Sequence, residues 1–140
     1  EGELAGVQAA LADSPGDRIR WEGALAPELT VVRMRKSSVY VLPSVNEPFP
    51  MSVLEALSVG LPVVVTESCG LAADIERTGS GVVVDESLES LTAALRVLIV
   101  DNEMRTAMGR RAAETATADF SMAAVGQRLE ALYLSGATAR

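Results

Sequence analysis

Residues 39–66 read VYVLPSVNEPFPMSVLEALSVGLPVVVT, and the fold class can be predicted from them. Residues 39–42 form a short, continuously apolar run, which is typical of a strand covered on both faces. Residues 50–59 have the apolar spacing of a helix, and Gly60 follows as a residue that commonly ends one. Residues 62–66 are a second buried strand. Two strands joined by one helix predict a parallel crossover unit.

The same alternation continues on both sides of this unit. Further strands are predicted over 18–22 and 81–84. Further helices are predicted over 2–12, 28–36, 71–77, 88–100, 103–117 and 122–134, the last three capped by Ser87, Asn102 and Ser121. The pattern predicts an α/β fold, a Rossmann-like parallel sheet with helices on both faces.

The strand count predicts an incomplete sheet. Doubly wound sheets have about six strands in the order 3-2-1-4-5-6, and the four predicted here correspond to the last four. The gap falls beside the strand 39–42, where unpaired backbone groups favour self-association. We therefore expect residues 1–134 to be a Rossmann-like domain that lacks its first strands, and residues 135–140 to be a flexible tail.

Composition excludes several kinds of function. The 140 residues carry a formal charge of −7, which disfavours nucleic acid as a partner. There is no histidine, and Cys69 is the one cysteine, so an internal disulfide, a Cys/His zinc site and a histidine-dependent catalytic triad are excluded. The apolar runs are too short to cross a bilayer. A cytoplasmic location is expected.

Ligands of open parallel sheets bind beyond the carboxyl ends of the strands, where the loop 43–48 lies. The helix after this loop has unpaired N–H groups at its start, with Met51 and Ser52 as donors, and these form an anion site. Glu55 lies about one turn further on, where its carboxylate can accept hydrogen bonds from neighbouring hydroxyls. Glu47 can reach a group bound over the helix end.

The Glu47 and Glu55 pair, written E-PFPMSVL-E, is similar to the signature of retaining glycosyltransferases with the GT-B architecture, of the group 1 or family 4 type. The flanking sequences VLPS at 41–44 and ALSVGLPVVV at 56–65 match as well. The resemblance continues as far as Tyr133, so it covers nearly the whole chain.

The resemblance implies that this chain is the C-terminal, donor-binding domain of a two-domain enzyme of polysaccharide or glycolipid biosynthesis. Its donor would be a nucleotide-diphosphate sugar such as a UDP- or GDP-sugar, used as substrate, with no separate cofactor and no metal. A separate N-terminal domain, absent here, would hold the acceptor. The parent protein would provide any association with a membrane.

The resemblance also implies roles for individual residues. Glu55 would hold the ribose hydroxyls of the donor, and Glu47 would contact sugar hydroxyls and stabilise the cationic transition state. The diphosphate and sugar would be approached by the backbone of Phe49, Pro50, Met51 and Ser52. The base would meet the backbone of Ala24 and Leu25. Asp74 would either stabilise a helix start or contact the sugar.

One departure from the family is important. The Arg and Lys that clamp the diphosphate in relatives have no counterpart here, and Lys36 is the one lysine. We therefore expect this chain alone to be inactive. A non-catalytic nucleotide-sugar-binding or assembly module is the alternative function, and a nucleotide-sugar epimerase of the same two-domain fold fits the sequence around Glu47 less well.

Overall fold

The computed structural model describes residues 6, 9, 11 and 19–137, with side chains as far as residue 135. It divides into two compact units, Glu1–Thr30 and Val31–Arg140. In the first unit, residues 6, 9 and 11 are helical and residues 19–26 are irregular. The rest of the predicted helix 2–12 lies outside the described residues.

The second unit contains a parallel sheet of strands β1 (Tyr40–Leu42), β2 (Val63–Thr66) and β3 (Gly81–Val84). The strands lie in the order β1-β2-β3, with Val41 opposite Val64 and Val64 opposite Val82. β2 is the central strand. In the described part of the chain, β1 is paired along one edge alone.

Helices connect and cover these strands. Their bounds are α1 Pro27–Arg35, α2 Met51–Ser58, α3 Ala72–Thr78, α4 Leu88–Val100, α5 Asn102–Phe120 and α6 Met122–Ala137. Within the described residues, none of them is long and apolar enough to cross a bilayer.

Both faces of the sheet are covered, because every residue of β2 is buried and its side chains alternate between two cores. Val63 and Val65 belong to the larger core, which also contains Val53, Leu57, Leu71, Ile75 and Ala112. Val64 belongs to the core on the other face, with Val84, Leu98 and Met108. The prediction of an α/β fold with a parallel sheet between helices is confirmed.

Gly60 ends α2 as the sequence predicts. Its φ of +75° lies in the left-handed region, and its N–H donates to Leu57 O at 2.9 Å while Leu61 N–H donates to Ala56 O at 3.0 Å. This double hydrogen bond is the Schellman motif. The close approach of Gly60 also requires glycine at position 109 of α5, because a Cβ on Gly109 would lie 2.5 Å from Gly60 O.

The prediction of a strand over 18–22 is wrong for residues 19–22, which have no regular structure; residue 18 lies outside the described residues. Only Ile19 and Trp21 alternate with charged residues there. Two apolar positions are too few to define a buried strand face, which needs alternation over four to eight residues. The described sheet therefore has three strands and not four.

The predicted caps at Ser87 and Ser121 are confirmed, since their hydroxyls accept hydrogen bonds from Ser90 N–H and Ala124 N–H. The predicted cap at Asn102 is wrong. Asp101 caps α5, and its carboxylate accepts a hydrogen bond from Met104 N–H at 2.8 Å. Asp101 has extended backbone and directly precedes Asn102, the first helical residue, so it occupies the capping position.

Candidate functional site

The candidate site is formed by loops at the carboxyl ends of the three strands. The loop 43–50 follows β1, the loop 67–71 follows β2 and the loop 85–87 follows β3. Because the strands are parallel, all three loops leave the sheet at the same edge. Glu47 is half buried in the first loop, and α2 begins directly after it.

Side chains of the second loop hold the backbone of the first. Thr66, buried at the end of β2, donates its hydroxyl hydrogen bond to Ser44 O. Asn46 N–H donates to Ser68 Oγ at 3.0 Å. The two loops are therefore attached to each other on the side where the first one leaves its strand.

The two loops also touch backbone to backbone. Gly70 N–H donates to Glu47 O at 2.8 Å. A Cβ on Gly70 would lie 1.8 Å from Pro48 O, far inside any real contact distance. The close approach that supports Glu47 therefore requires glycine at position 70.

The first loop bends at Asn46, immediately before Glu47. Asn46 has a φ of +56° and is the one residue other than glycine with a positive φ in the described part of the chain. Asparagine tolerates this left-handed conformation better than most residues with a side chain. The conformation of Asn46 thus sets the direction in which the chain reaches Glu47.

The start of α2 has the properties of an anion site. The first helical hydrogen bonds run from the N–H groups of Val53 and Leu54 to Pro50 O, at 3.1 and 3.4 Å. The N–H groups of Met51 and Ser52 come earlier and have no acceptor within the helix. Together with the helix dipole, such groups favour a phosphate at this end.

Glu55 is exposed on α2 and borders a groove of about 410 Å³ between α2 and the end of α5. The groove is also lined by Met51, Leu54, Ser58, Ala116, Thr117, Phe120 and Ser121. A carboxylate at the wall of an open, largely apolar groove is accessible to the hydroxyls of a ligand.

The remaining predicted site residues fall in two places. Phe49 and Met51 are exposed, Pro50 is buried and Ser52 is half buried, all around the start of α2. Ala24 and Leu25 lie in irregular backbone of the other unit, Glu1–Thr30. The structure therefore brings the residues 47–55 to one edge of the sheet, and the assignment of the base to Ala24 and Leu25 stays a prediction.

Asp74 is engaged in a surface ion-pair network. Arg77 donates to Asp74 at 2.7 Å and to Asp119 at 2.8 Å. The hydrogen bonds that Arg77 donates, to Asp74 first and to Asp119 second, raise the pKa of its guanidinium above the ordinary value. The Asp74 carboxylate therefore forms an ion pair within α3, with the same Arg77 that connects α3 to Asp119 of α5.

The charge of the site loops is entirely negative. Their sequences, PSVNEPFP, ESCGL and DES, contain no lysine or arginine. Among the described residues, no group of three or more His, Cys, Asp or Glu is placed to hold a metal ion. A lysine or arginine that pairs with an anion at this edge of the sheet must therefore come from outside these three loops.

Sequence reasoning missed the roles of Thr66, Ser68 and Gly70. All three follow or end β2, and each contacts a residue far away in the sequence. The one signal in the sequence was Gly70, because a glycine in the loop after a buried strand can mark a close approach of two backbones.

Comparison with known proteins places this site in context. The family model described as glycosyl transferases group 1 matches residues 7–115. The D-inositol 3-phosphate glycosyltransferase of Corynebacterium efficiens is 36% identical over 123 residues, covering 87% of this chain and 29% of that protein. The enzyme of the same name from Corynebacterium jeikeium is 37% identical over 116 residues, covering 82% of this chain and 27% of that protein. The chain thus spans less than a third of these relatives.

Two solved structures share the fold. A sucrose-phosphate synthase of Thermosynechococcus elongatus matches with a TM-score of 0.82 and 24% identity, over 99% of this chain and 35% of that one. WaaG, a glycosyltransferase involved in lipopolysaccharide biosynthesis, matches with a TM-score of 0.58 and 30% identity, over 64% of this chain and 24% of that one.

Proposed function

The chain belongs to the glycosyl transferases group 1 family, and from this premise we propose that it binds the nucleotide-sugar donor of a retaining glycosyltransferase. The observation that carries the proposal is the arrangement around α2. Met51 and Ser52 offer N–H groups at its start, Glu55 stands one turn further on beside a groove, and Glu47 is held in the loop before it. This set matches the three parts of such a donor, namely diphosphate, ribose and sugar.

In this proposal, the diphosphate lies at the start of α2, where the helix dipole and free N–H groups attract it. Glu55 accepts hydrogen bonds from the ribose hydroxyls. Glu47 contacts sugar hydroxyls, and its negative charge stabilises the sugar as it becomes cationic during transfer. A Glu47 contact that strengthens in the transition state accelerates the reaction without tightening donor binding.

The chain would act together with an acceptor-binding domain and would be inactive alone. The negative charge of all three site loops supports this, because a nucleoside diphosphate that departs from the sugar needs cationic groups that these loops lack. D-Inositol 3-phosphate is the first acceptor to test, since the curated relatives are named for it.

The same lack of cations favours the alternative of a non-catalytic binding module. The two functions differ in one measurement. Joined to an acceptor domain, a transferase consumes its donor and loses this activity when Glu47 is replaced, whereas a binding module retains nucleotide without turnover in either form.

Titration of the isotope-labelled chain with UDP and GDP tests donor binding. We expect the amide signals of Phe49 and of residues 51–56 to move, because the ligand would lie on the N–H groups of Met51 and Ser52 and beside Glu55. Signals of the α4 surface around Thr92 serve as the internal control. Shifts confined to α4, or no shifts at all, would contradict the proposed site.

A further inference from the structure

The Ser68 hydroxyl lies where all three loops of the site meet. Its Oγ is 3.0 Å from the donating Asn46 N–H of the first loop. It donates to Glu86 Oε1 of the third loop at 3.1 Å, and Thr66 Oγ1 is 3.2 Å away. Ser68 is therefore the one residue of the described network that contacts the loop containing Glu47 and the loop after β3 together.

Each hydroxyl has one proton to donate, and this determines which group donates and which accepts in each hydrogen bond of the network. The Thr66 hydroxyl proton is used by Ser44 O, so it is not available to Ser68. The Ser68 proton goes to the Glu86 carboxylate, which is a stronger acceptor than a neutral hydroxyl. The lone pairs of Ser68 Oγ are then left for Asn46 N–H, and the adjacent negative charge polarises the hydroxyl and strengthens that bond.

We infer that Ser68, supported by Glu86, is a positioning residue that sets the place of the Glu47 carboxylate by holding Asn46 in its left-handed conformation. Asn46 precedes Glu47 directly, and the carbonyl of Glu47 is held by Gly70 N–H on the same side. The peptide group before Asn46 and the peptide group after Glu47 are thereby fixed to the loop after β2. The inference rests on the proposed role of Glu47 in catalysis.

The network is suited to position a loop and contributes little to holding the fold. Asn46 and Glu86 are exposed and Ser68 is half buried, and hydrogen bonds in water contribute little net free energy of folding. The buried cores on either side of β2 do not include them. Loss of the Ser68 hydroxyl should therefore change the geometry at Glu47 while the protein stays folded.

A matched pair of substitutions tests the inference. Thr and Val have the same shape, so Ser68→Thr and Ser68→Val differ by one hydroxyl alone. In the enzyme that joins this chain to its acceptor domain, we expect Ser68→Val to lower kcat about 10–100-fold with little change in the KM for the donor, since misplacement of a catalytic group acts on the transition state. Ser68→Thr should retain most of the activity.

Two further measurements separate positioning from a general structural effect. Hydrogen exchange at the Asn46 amide should be faster in Ser68→Val than in Ser68→Thr, while exchange at Val64 in β2 stays equal. In a Glu47→Gln background, Ser68→Val should cause little additional loss, because the group it positions is already gone.

The outcomes distinguish this inference from the proposed function. If Glu47→Gln lowers kcat strongly and the Val and Thr variants have equal kcat, the positioning role of Ser68 is wrong and the function of Glu47 stands. If Glu47→Gln leaves kcat unchanged, the proposed function is wrong and the inference is overturned with it. A full additional loss from Ser68→Val in the Glu47→Gln background would also overturn the inference.

Discussion

Two carboxylates at the edge of one sheet, Glu47 and Glu55, have different surroundings. Glu47 is half buried in a loop whose backbone is fixed from both sides, whereas Glu55 is exposed on the regular surface of α2. A fixed carboxylate is suited to meet a charge that develops at one point. An exposed carboxylate beside a groove is suited to bind hydroxyls in the ground state.

Replacing each carboxylate should therefore give a different kinetic effect. In the complete enzyme, Glu47→Ala should lower turnover more than donor affinity. Glu55→Ala should weaken donor binding by about 1–3 kcal/mol, because the ribose hydroxyls lose a partner. Steady-state kinetics and calorimetry measure the two effects, with Glu103→Ala, an exposed carboxylate of α5, as the control. Equal losses of affinity in both variants with unchanged turnover would show that the roles are wrong.

Gly70→Ala tests the close approach of the two site loops. The added Cβ would meet Pro48 O at 1.8 Å, and the loop before α2 must move to relieve this contact. We expect a loss of about 1–3 kcal/mol of unfolding free energy, the usual range for an overpacked position. Urea denaturation measures it.

Gly126→Ala in α6 is the matched control, since nothing lies within 4 Å of a Cβ there. This substitution should stabilise the protein by up to about 1 kcal/mol through helix propensity alone. A Gly70→Ala protein as stable as the parent, with unchanged amide shifts at residues 46–49, would contradict the steric explanation.

The secondary-structure elements of this chain differ in how well the sequence predicts them. The strands β1, β2 and β3 were predictable because each is a short run of mostly apolar residues with valine in it. The segment 19–22 was not, because an alternation of two apolar residues with charges occurs equally in irregular backbone. Asp101 displaced Asn102 as the cap of α5 because two adjacent residues can both cap, and sequence does not say where the helical dihedrals begin.

The start of α4 provides a prediction about pH. Hydrogen bonds from the Ser87 hydroxyl, the Ser87 N–H and the Ser90 hydroxyl lower the pKa of Asp85 below its ordinary value of 3.8. A group with a lowered folded-state pKa stabilises the protein above its unfolded-state pKa, and this contribution is lost as the pH falls through the folded-state value.

We therefore expect the Asp85 carboxyl to titrate below 3.8 by NMR. The difference in unfolding free energy between the parent and Asp85→Asn should stay constant at neutral pH and shrink in strong acid. A titration midpoint at or above the ordinary value, or a difference that grows as the pH falls, would contradict the hydrogen-bond explanation.

The candidate site shows where prediction from sequence ends. Glu47, Ser52 and Glu55 could be proposed as site residues because they are close in sequence, on a loop and the helix that follows. Thr66, Ser68, Gly70 and Glu86 were not, because their roles come from loops brought together by the parallel strands. Their importance depends on distances of a few ångströms between separate loops, which no local pattern encodes.

At the level of the whole chain, the described sheet has two edge strands. β2 is paired on both sides, whereas β1 and β3 each have β2 as their one strand partner in the described part of the chain. All three residues of β1 are partly exposed. Backbone groups at such an edge can pair with another chain.

From the partly exposed edge strand β1, we predict that the 140-residue chain self-associates. Sedimentation velocity over a wide range of concentrations should show an average mass that rises with concentration. Amide exchange at Val41 should slow in the associated form, while exchange at Val64 should be unchanged. A constant monomer mass at every concentration would contradict the prediction, and a rise in mass without protection of Val41 would place the contact elsewhere.

The contact between Gly60 and Gly109 has a consequence for engineering the ligand preference of this protein. The backbones of α2 and α5 touch there, whereas further along the same two helices they border the groove beside Glu55. A larger residue at position 109 would force the helices apart at the contact and so alter the width of a groove that it does not line. In a randomised library selected for new donors, we expect changes at position 109 to shift substrate selectivity from outside the binding surface.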